Sequence, residues 1–378
     1  MRVRIKPTSS RQKTAEIAIA AAGAALVVLP LAATQDWLDR HFLPSFMVSR
    51  SWYVAIETAV RMLFGVAGMM LIVAARSIAS RSSARVVGRA AGILAAVVLA
   101  LAASEVALQR THLRPTEWRN LYEEPRRLPD PRLGWRFAPN RTAYNTSGGR
   151  TIEYAFDSAG YRVRHAGEAI YPERPSMLFV GESVMFGDGL TYDESVPAQV
   201  EAMLGTQSVN LGVYGFSIDQ TYLNAAAELP HFRHPVALVA LFMTALFGRN
   251  LDDDRPHLGD GLVWLPAVEH SRLMTLAGLL VPFRRHATVE HGIAVTREAL
   301  RAIVDLARGR QAEPLIVVPV VGSESVPERA LRERILDQGH LPYVIVAFDS
   351  SWHVVGDHHP DARAAQVIAR AIAERLRH

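Results

Sequence analysis

The 378-residue sequence contains no cysteine. Disulfide bridges, thiolate nucleophiles and cysteine metal sites are therefore excluded, although this absence does not identify the redox compartment. Any nucleophile or general base in the chain must be a residue of another type.

Net positive charge is lacking beyond the first third of the chain. Residues 1–110 hold 13 Lys and Arg against 5 Asp and Glu, whereas residues 111–378 hold 28 against 32. The formal net charge of +4 thus belongs to the N-terminal part. Because binding to a phosphate backbone needs a basic surface, we expect no nucleic-acid partner.

Long apolar runs are concentrated in the same N-terminal part. Ile17–Thr34, Trp52–Ala75 and Ala90–Leu108 each approach the roughly 20 residues that cross a bilayer core. We therefore predict a transmembrane region over residues 1–110 with three helices. A cleaved signal peptide is second choice because no small-residue cleavage site follows the first run, and a soluble helical hairpin is the other alternative.

Basic residues give this region an orientation. They precede the first run and separate the second from the third, at positions Arg2, Arg4, Lys6, Arg11, Lys13, Arg76, Arg81, Arg85 and Arg89. The positive-inside rule then predicts a multi-pass protein of the inner (cytoplasmic) membrane with a cytoplasmic N-terminus. Three crossings would deliver the chain after about residue 110 to the periplasmic side.

The remaining sequence changes from an irregular lead-in to a regular alternation. Residues 111–176 are rich in Pro, Arg, Asn and Gly and contain short β-like pieces such as "TIEYAF". From residue 177 onward, apolar runs alternate with helical patterns, which favours a parallel sheet covered by helices on both faces. The predicted strands are Met177–Val180, Ser208–Leu211, Val236–Leu246, Leu315–Val321 and Tyr343–Phe348. The predicted helices are Ser195–Leu204, Ile218–Leu229, Ile293–Arg308, Pro327–Asp337 and Asp361–Leu376.

Polar residues and glycines follow several of these strands. They are Ser183, Asn210, Gly212, Gly215, Gly248, Asn250, Asp357, His358 and His359. In parallel sheets function gathers at the carboxyl ends of the strands. A serine, backbone amides, an asparagine and an Asp/His pair are the parts of an acyl-transfer site, although each alone is typical of a turn or a helix cap.

The combination resembles the SGNH (GDSL-like) hydrolase superfamily from Met177 to the C-terminus. Its four blocks are matched by "VGESVMFGDG", "NLGVYG", "GRN" and "DHHP". The resemblance implies a three-layer α/β/α, flavodoxin-like domain over residues 177–378. It also implies catalytic Ser183, Asp357 and His359, with the Ser183 and Gly212 amides and the Asn250 side chain forming the oxyanion hole.

Three departures from the family pattern leave alternatives open. Glu182 stands where the signature has Asp, and Leu251 replaces the Asp of the third block, so Arg249 could occupy the position given to Asn250. Asp357 lies two residues before His359 rather than three, and His358 is the alternative base. We also expect Met185, Phe186 and Gly187 to line the entrance to the site rather than the core.

The predicted function is that of a membrane-anchored serine esterase. Its expected substrate is an acylated envelope glycan or a lipid-like ester, and the resemblance implies no metal or organic cofactor. The alternatives are an O-acyltransferase of envelope polysaccharide and a binding or assembly module with little catalysis. A protein partner from an envelope-assembly system is compatible with each of them.

Overall fold

The computed structural model describes residues 10–43, 50–81, 84–111 and 124–377, and the chain divides into two compact units. One unit contains the N-terminal helices together with Ser271–Pro282. The other contains the rest of the chain from residue 124 onward. The lead-in thus belongs to the same unit as the α/β region that follows it.

The N-terminal helices form where the apolar runs predict them. They are α1 (Ser10–Ala32), α2 (Gln35–His41), α3 (Arg50–Arg81) and α4 (Ala84–Leu108). Arg2, Arg4 and Lys6, on which part of the predicted orientation rests, lie outside the described residues.

Two of the three predicted membrane spans have the length and composition of a span over the described residues, and the third stays a prediction. Gln12–Ala32 and Arg50–Arg81 are long and apolar enough to cross a membrane, whereas the apolar part of α4, Gly92–Leu108, is shorter. Core helices of soluble proteins and signal sequences share this length and composition.

Two glycines allow α1 and α3 to pack closely. A Cβ atom at Gly23 would lie 2.7 Å from the Gly68 carbonyl oxygen, and one at Gly68 would lie 2.6 Å from the Gly23 carbonyl oxygen. Small residues at such a crossing let two helix backbones approach, as in helix pairs within membranes.

The second unit is built on an eight-stranded sheet with short additional hairpins. The strands are β1 (Arg127–Asp130), β2 (Gly134–Phe137), β3 (Thr142–Ser147), β4 (Arg150–Phe156), β5 (Arg162–Val163), β6 (Ser176–Val180), β7 (Gln207–Asn210), β8 (Pro235–Leu241), β9 (His257–Leu258), β10 (Trp264–Leu265), β11 (Glu313–Val321) and β12 (Tyr343–Phe348). The sheet order is β12-β11-β8-β6-β7-β5-β4-β3.

The five strands predicted from residue 177 onward form the parallel part of this sheet. Numbered from β6 as the first, their spatial order is 2-1-3-4-5, which is the flavodoxin-like order. The order reverses between β6 and β8. Parallel sheets of this type bind ligands outside the carboxyl ends of the strands at such a reversal. A ligand site is therefore expected at the end of β6.

Helices cover both faces of the parallel strands and complete three layers. In this unit they are α5 (Ser183–Phe186), α6 (Val196–Leu204), α7 (Ile218–Glu228), α9 (His286–Gly309), α10 (Val326–Arg332) and α11 (Ala362–Leu376). The pair α6 and α11 packs together, as does the pair α7 and α9. The flavodoxin-like prediction is therefore confirmed in its layers and strand order.

The lead-in is more than an irregular approach to the sheet. Strands β3, β4 and β5 extend the sheet through antiparallel pairing, and β5 meets β7 at Arg162 and Asn210. The parallel sheet predicted from residue 177 onward is thus part of a larger, mixed sheet. The β5 contact is too short to leave a periodic pattern in the sequence.

Two predicted elements end differently in the structure. β8 stops at Leu241, where its pairing with β11 ends, and a 3₁₀ segment occupies Thr244–Leu251. Phe242 and Phe247 remain buried after the strand ends, so apolar character alone did not mark its end. The predicted helix Pro327–Asp337 is α10 followed by a π-turn over Glu333–Asp337.

The segment assigned to the N-terminal unit contains a helix that the sequence did not predict, α8 (Arg272–Leu280). The Glu105 carboxylate of α4 accepts hydrogen bonds from the backbone N–H groups of Arg272 and Leu273, at 2.8 and 2.9 Å. A carboxylate suits a helix N-terminus because it satisfies unpaired N–H groups and complements the helix dipole.

Arg162 on β5 anchors the chain that follows α5. Its guanidinium donates to the carbonyl oxygens of Phe186, Gly187 and Leu190, at 2.6, 2.8 and 2.5 Å. The side chain is fully buried, and this burial lowers the pKa of Arg162 to about 10. A buried cation with three carbonyl acceptors is costly to remove because the carbonyls then lose their donors.

We expect Arg162→Met to lower the free energy of unfolding by about 3 kcal/mol or more, because three buried carbonyl groups lose their donor. Thermal unfolding of the purified protein measures this change. The matched control is Arg164→Met, whose exposed ion pair with Asp193 should contribute less than about 1 kcal/mol. Equal effects of the two substitutions would contradict the anchoring role.

Candidate active site

Ser183 is presented by a turn and a single helical turn at the end of β6. The strand ends at Val180, Gly181 and Glu182 make the connection, and α5 begins at Ser183 itself. One oxygen of the Glu182 carboxylate accepts from the Val184 N–H at 3.1 Å and caps the helix. The apolar run therefore ends on a serine because a helix N-terminus starts there.

Met185 and Phe186 lie in the core, which corrects the expectation that they line the entrance. Both are fully buried. The Phe186 ring stacks on the rings of Phe137 and Tyr154, with centroids 4.6 and 5.4 Å apart. Because α5 is only one turn long and lies against the sheet, its apolar side chains return to the core.

Gly212 provides the space in which α5 packs. A Cβ atom at this position would lie 2.4 Å from the Phe186 backbone nitrogen, so only glycine fits. The Gly212 N–H donates to Asn210 Oδ1 at 3.0 Å, while Asn210 Nδ2 donates to the Phe186 carbonyl at 3.1 Å. Because its N–H is bound to Asn210, its role as an oxyanion donor stays a prediction.

The loop before α11 folds back on itself and carries the Asp/His pair. The Val354 N–H donates to the His359 carbonyl at 2.8 Å, and the Asp357 N–H donates to the Val354 carbonyl at 3.0 Å. Gly356 adopts a φ of 77°, a left-handed conformation that favours glycine. This tight turn lets Asp357 reach His359 from only two positions away.

Ser183, His359 and Asp357 form one chain of contacts. His359 Nε2 lies 2.9 Å from Ser183 Oγ, and His359 Nδ1 lies 2.8 Å from Asp357 Oδ1. Because an ionised carboxylate can only accept, Nδ1 carries a proton. The side chain of His358 is exposed, and its backbone N–H donates to Asp357 at 2.5 Å.

The contacts between Asp357 and His359 shift their pKa values in opposite directions. The hydrogen bond from His359, aided by the backbone N–H groups of His358 and His359, lowers the pKa of Asp357 to about 2. Burial alone would lower the pKa of His359. The hydrogen bond to Asp357 and the negative charges of Asp188, Asp357 and Glu182 outweigh burial and raise that pKa above its ordinary value.

The Asn250 side chain is hydrogen-bonded to two neighbours in this structure, and its predicted place in the oxyanion hole stays a prediction. Its side-chain oxygen accepts from the Ile218 N–H at 2.8 Å, and its Nδ2 donates to Thr296 Oγ1 at 2.9 Å. The side chain thus joins the start of α7 to α9. The side-chain oxygen and one N–H of the amide thus hold these two helices together, while the amide has a second N–H.

Arg249 points toward the serine side. Its Nη1 atom lies 3.6 Å from Glu182 Oε2, and Glu182 in turn hydrogen-bonds the Ser183 hydroxyl. Burial lowers the pKa of Arg249, and Nη1 is shielded from solvent. The opposite charges in "GES" and "GRN", at the ends of the neighbouring strands β6 and β8, were a signal for this pair.

Sequence reasoning missed the anchoring Arg162 and the Glu182–Arg249 pair. Arg162 stands in the lead-in, outside the four blocks. Within the residues that the structure describes, no group of three His, Asp or Glu side chains is arranged to hold a metal ion.

Solved structures to which this chain is similar include the following three proteins. A member of the lipolytic protein G-D-S-L family from Veillonella parvula is 11% identical and covers 53% of this chain and 96% of its own, with a TM-score of 0.32. A carbohydrate acetylesterase from Sinorhizobium meliloti is 11% identical and covers 54% and 99%, with a TM-score of 0.34. An acetyl xylan esterase from Butyrivibrio proteoclasticus is 10% identical and covers 56% and 65%, with a TM-score of 0.35.

No protein-family model matches the chain, and a search of curated proteins gives no match. At such low identity, the chemistry of this chain rests on its own side chains.

We expect Asn250→Ala to lower stability rather than turnover. The substitution leaves the Ile218 N–H and the Thr296 hydroxyl without a partner, which costs about 1–3 kcal/mol in the free energy of unfolding. Thermal unfolding and the rate of active-site labelling of the folded protein separate the two effects. Thr296→Val is the matched control for the lost contact. A ~10²-fold slower labelling rate of Asn250→Ala at unchanged stability would instead support Asn250 as an oxyanion donor.

Proposed function

We propose that the α/β unit is a serine esterase that cleaves an ester-linked acyl group. The observation that carries this proposal is the uninterrupted chain of contacts from Asp357 through His359 to Ser183. Ser183 follows β6, whereas Asp357 and His359 lie in the loop between β12 and α11, far from Ser183 in the sequence. A nucleophile, a base and a group that orients the base are the minimum for acyl transfer.

In the proposed reaction, Ser183 Oγ attacks the ester carbonyl and its proton passes to His359 Nε2. His359 then gives that proton to the departing alcohol, leaving an acyl group on Ser183. Water attacks this acyl-enzyme with His359 as base, and the acid is released as the serine regains its proton. With a sugar hydroxyl in place of water, the same steps make an O-acyltransferase.

The negative charge of the tetrahedral intermediate needs donors close to Ser183. The Ser183 N–H is a candidate because it lies in the first turn of α5, where N–H groups have no partner within the helix. The Gly212 N–H is a second candidate if it leaves Asn210. Each such donor is worth about 10²–10³ in turnover.

We further propose that the N-terminal helices anchor the chain as a multi-pass protein of the cytoplasmic membrane. The support is the two apolar helices and the excess of basic residues on the predicted cytoplasmic segments. With α4 as a third crossing, the site would lie in the periplasm. An acylated envelope glycan or a lipid-linked ester is then the substrate class within reach.

We expect a fluorophosphonate probe to label the purified wild-type protein and not Ser183→Ala. His359→Ala should slow labelling by about 10²–10⁴-fold, because the base is lost, and Asp357→Asn should have a smaller effect. His358→Ala is the matched control and should label at nearly the wild-type rate, since its side chain is exposed. Full labelling of His359→Ala would remove the proposed mechanism.

The absence of cysteine makes the membrane topology directly testable. We expect a thiol in Val326→Cys to react with a membrane-impermeant maleimide in intact spheroplasts, and one in Ser80→Cys to react only after permeabilisation. Val326 is 81% exposed, and Ser80 is exposed at the end of α3. The wild-type protein supplies the thiol-free background. Reaction of both variants before permeabilisation would contradict three crossings.

A further inference from the structure

The Ser183 hydroxyl has two partners in the resting site. His359 Nε2 lies 2.9 Å from Oγ, and Glu182 Oε2 is in close hydrogen-bonding contact with the same oxygen. A serine hydroxyl carries one proton and can therefore donate to only one of these groups. The other contact must be one in which the serine oxygen accepts.

Four groups are joined by three contacts, in the order Asp357, His359, Ser183 and Glu182. Both ends of this row are carboxylates, which accept when ionised. Three protons are then needed, one on Nδ1, one on Nε2 and one on Oγ. A neutral imidazole carries only one of the two nitrogen-bound protons, so the full set of contacts requires an imidazolium.

From this arrangement we propose that Glu182 takes the hydroxyl hydrogen bond of Ser183 in the resting site and thereby holds His359 as an imidazolium. The inference rests on the proposed esterase site and adds a residue that controls when His359 can act as a base. The resting site is, on this account, protonated and inactive.

Both neighbours of the Glu182 side chain are groups that pair with a carboxylate. Its Oε1 accepts from the Val184 N–H at 3.1 Å, and its Oε2 lies 3.6 Å from Arg249 Nη1. A protonated Glu182 could donate to Ser183 and leave a neutral imidazole as acceptor. The positive charge of Arg249 beside the carboxylate disfavours that arrangement.

Activation then requires the loss of one proton and the rotation of one hydroxyl. The imidazolium releases its Nε2 proton to water, which leaves a lone pair on Nε2. The Ser183 O–H turns from Glu182 to this lone pair, and Oγ can attack while His359 accepts the proton. No oxidant, reductant or further reactant is involved.

The other charges that face His359 act through space. Asp188 and Asp357 contribute alongside Glu182, and together they raise the pKa of His359. Asp188 Oδ1 accepts from the Tyr154 hydroxyl at 3.2 Å and is not one of the Ser183 partners described above. Asp188 is therefore a matched control for Glu182, because it supplies the same charge outside the row of four groups.

The test measures the rate of fluorophosphonate labelling of the full-length protein between about pH 5 and pH 9. In the wild type the rate should rise with pH, with a midpoint above the ordinary histidine value of about 6.5. In Glu182→Gln the midpoint should fall by about one pH unit or more, since Gln can cap α5 and donate to Ser183. In Asp188→Asn the fall should be smaller. A midpoint in Glu182→Gln that is unchanged, or shifted no more than in Asp188→Asn, would overturn the inference.

A second measurement does not depend on catalysis. The His359 ring can be titrated by nitrogen NMR on histidine-labelled protein, with its signals assigned from their loss in His359→Ala. Ser183→Ala removes the link to Glu182 without changing any charge, so the His359 midpoint should fall, whereas an unchanged midpoint would overturn the inference. If the wild type does not label at any pH, the esterase proposal fails, and the NMR titration still decides the role of Glu182.

Discussion

The site depends on the close packing of α5 against the end of β7. The Phe186 carbonyl of this four-residue helix accepts from both Arg162 and Asn210, and the absence of a side chain at Gly212 admits its backbone. A helix this short has almost no stability of its own, because nucleation is costly and few hydrogen bonds repay it. Ser183 is therefore held in place by its neighbours on the sheet rather than by the helix that contains it.

Two carboxylates, those of Asp357 and Glu182, lie near the pair formed by Ser183 and His359. Asp357 and Glu182 approach the row of groups from opposite ends, and both favour the protonated form of the base that lies between them. Arg249 offsets the charge of Glu182, and His359 offsets that of Asp357. The same carboxylate that caps α5 thus influences the chemistry of the serine, so helix geometry and proton affinity are coupled through Glu182.

Features that rest on local pattern were predictable from the sequence. The parallel strands followed from alternating apolar runs, and their flavodoxin-like order was implied by the SGNH resemblance. Gly212 and the Asp357–His359 pair were found in short sequence blocks of that resemblance. The contacts of Asn250 with Ile218 and Thr296 were not predictable, because the sequence did not mark the 3₁₀ segment in which Asn250 stands. The burial of Met185 and Phe186 was missed for a related reason, since a single helical turn reverses direction within four residues.

The lead-in is part of the unit that presents Ser183. Arg162 belongs to a two-residue strand that pairs with β7 through one residue, a feature with no repeating pattern. Yet this residue supplies three of the hydrogen bonds that hold the chain after the nucleophile. Because a buried guanidinium is stabilised only when its acceptors are fixed, β5 and the segment after α5 stabilise each other. The unit that presents Ser183 therefore includes β5, well before the first block of the motif.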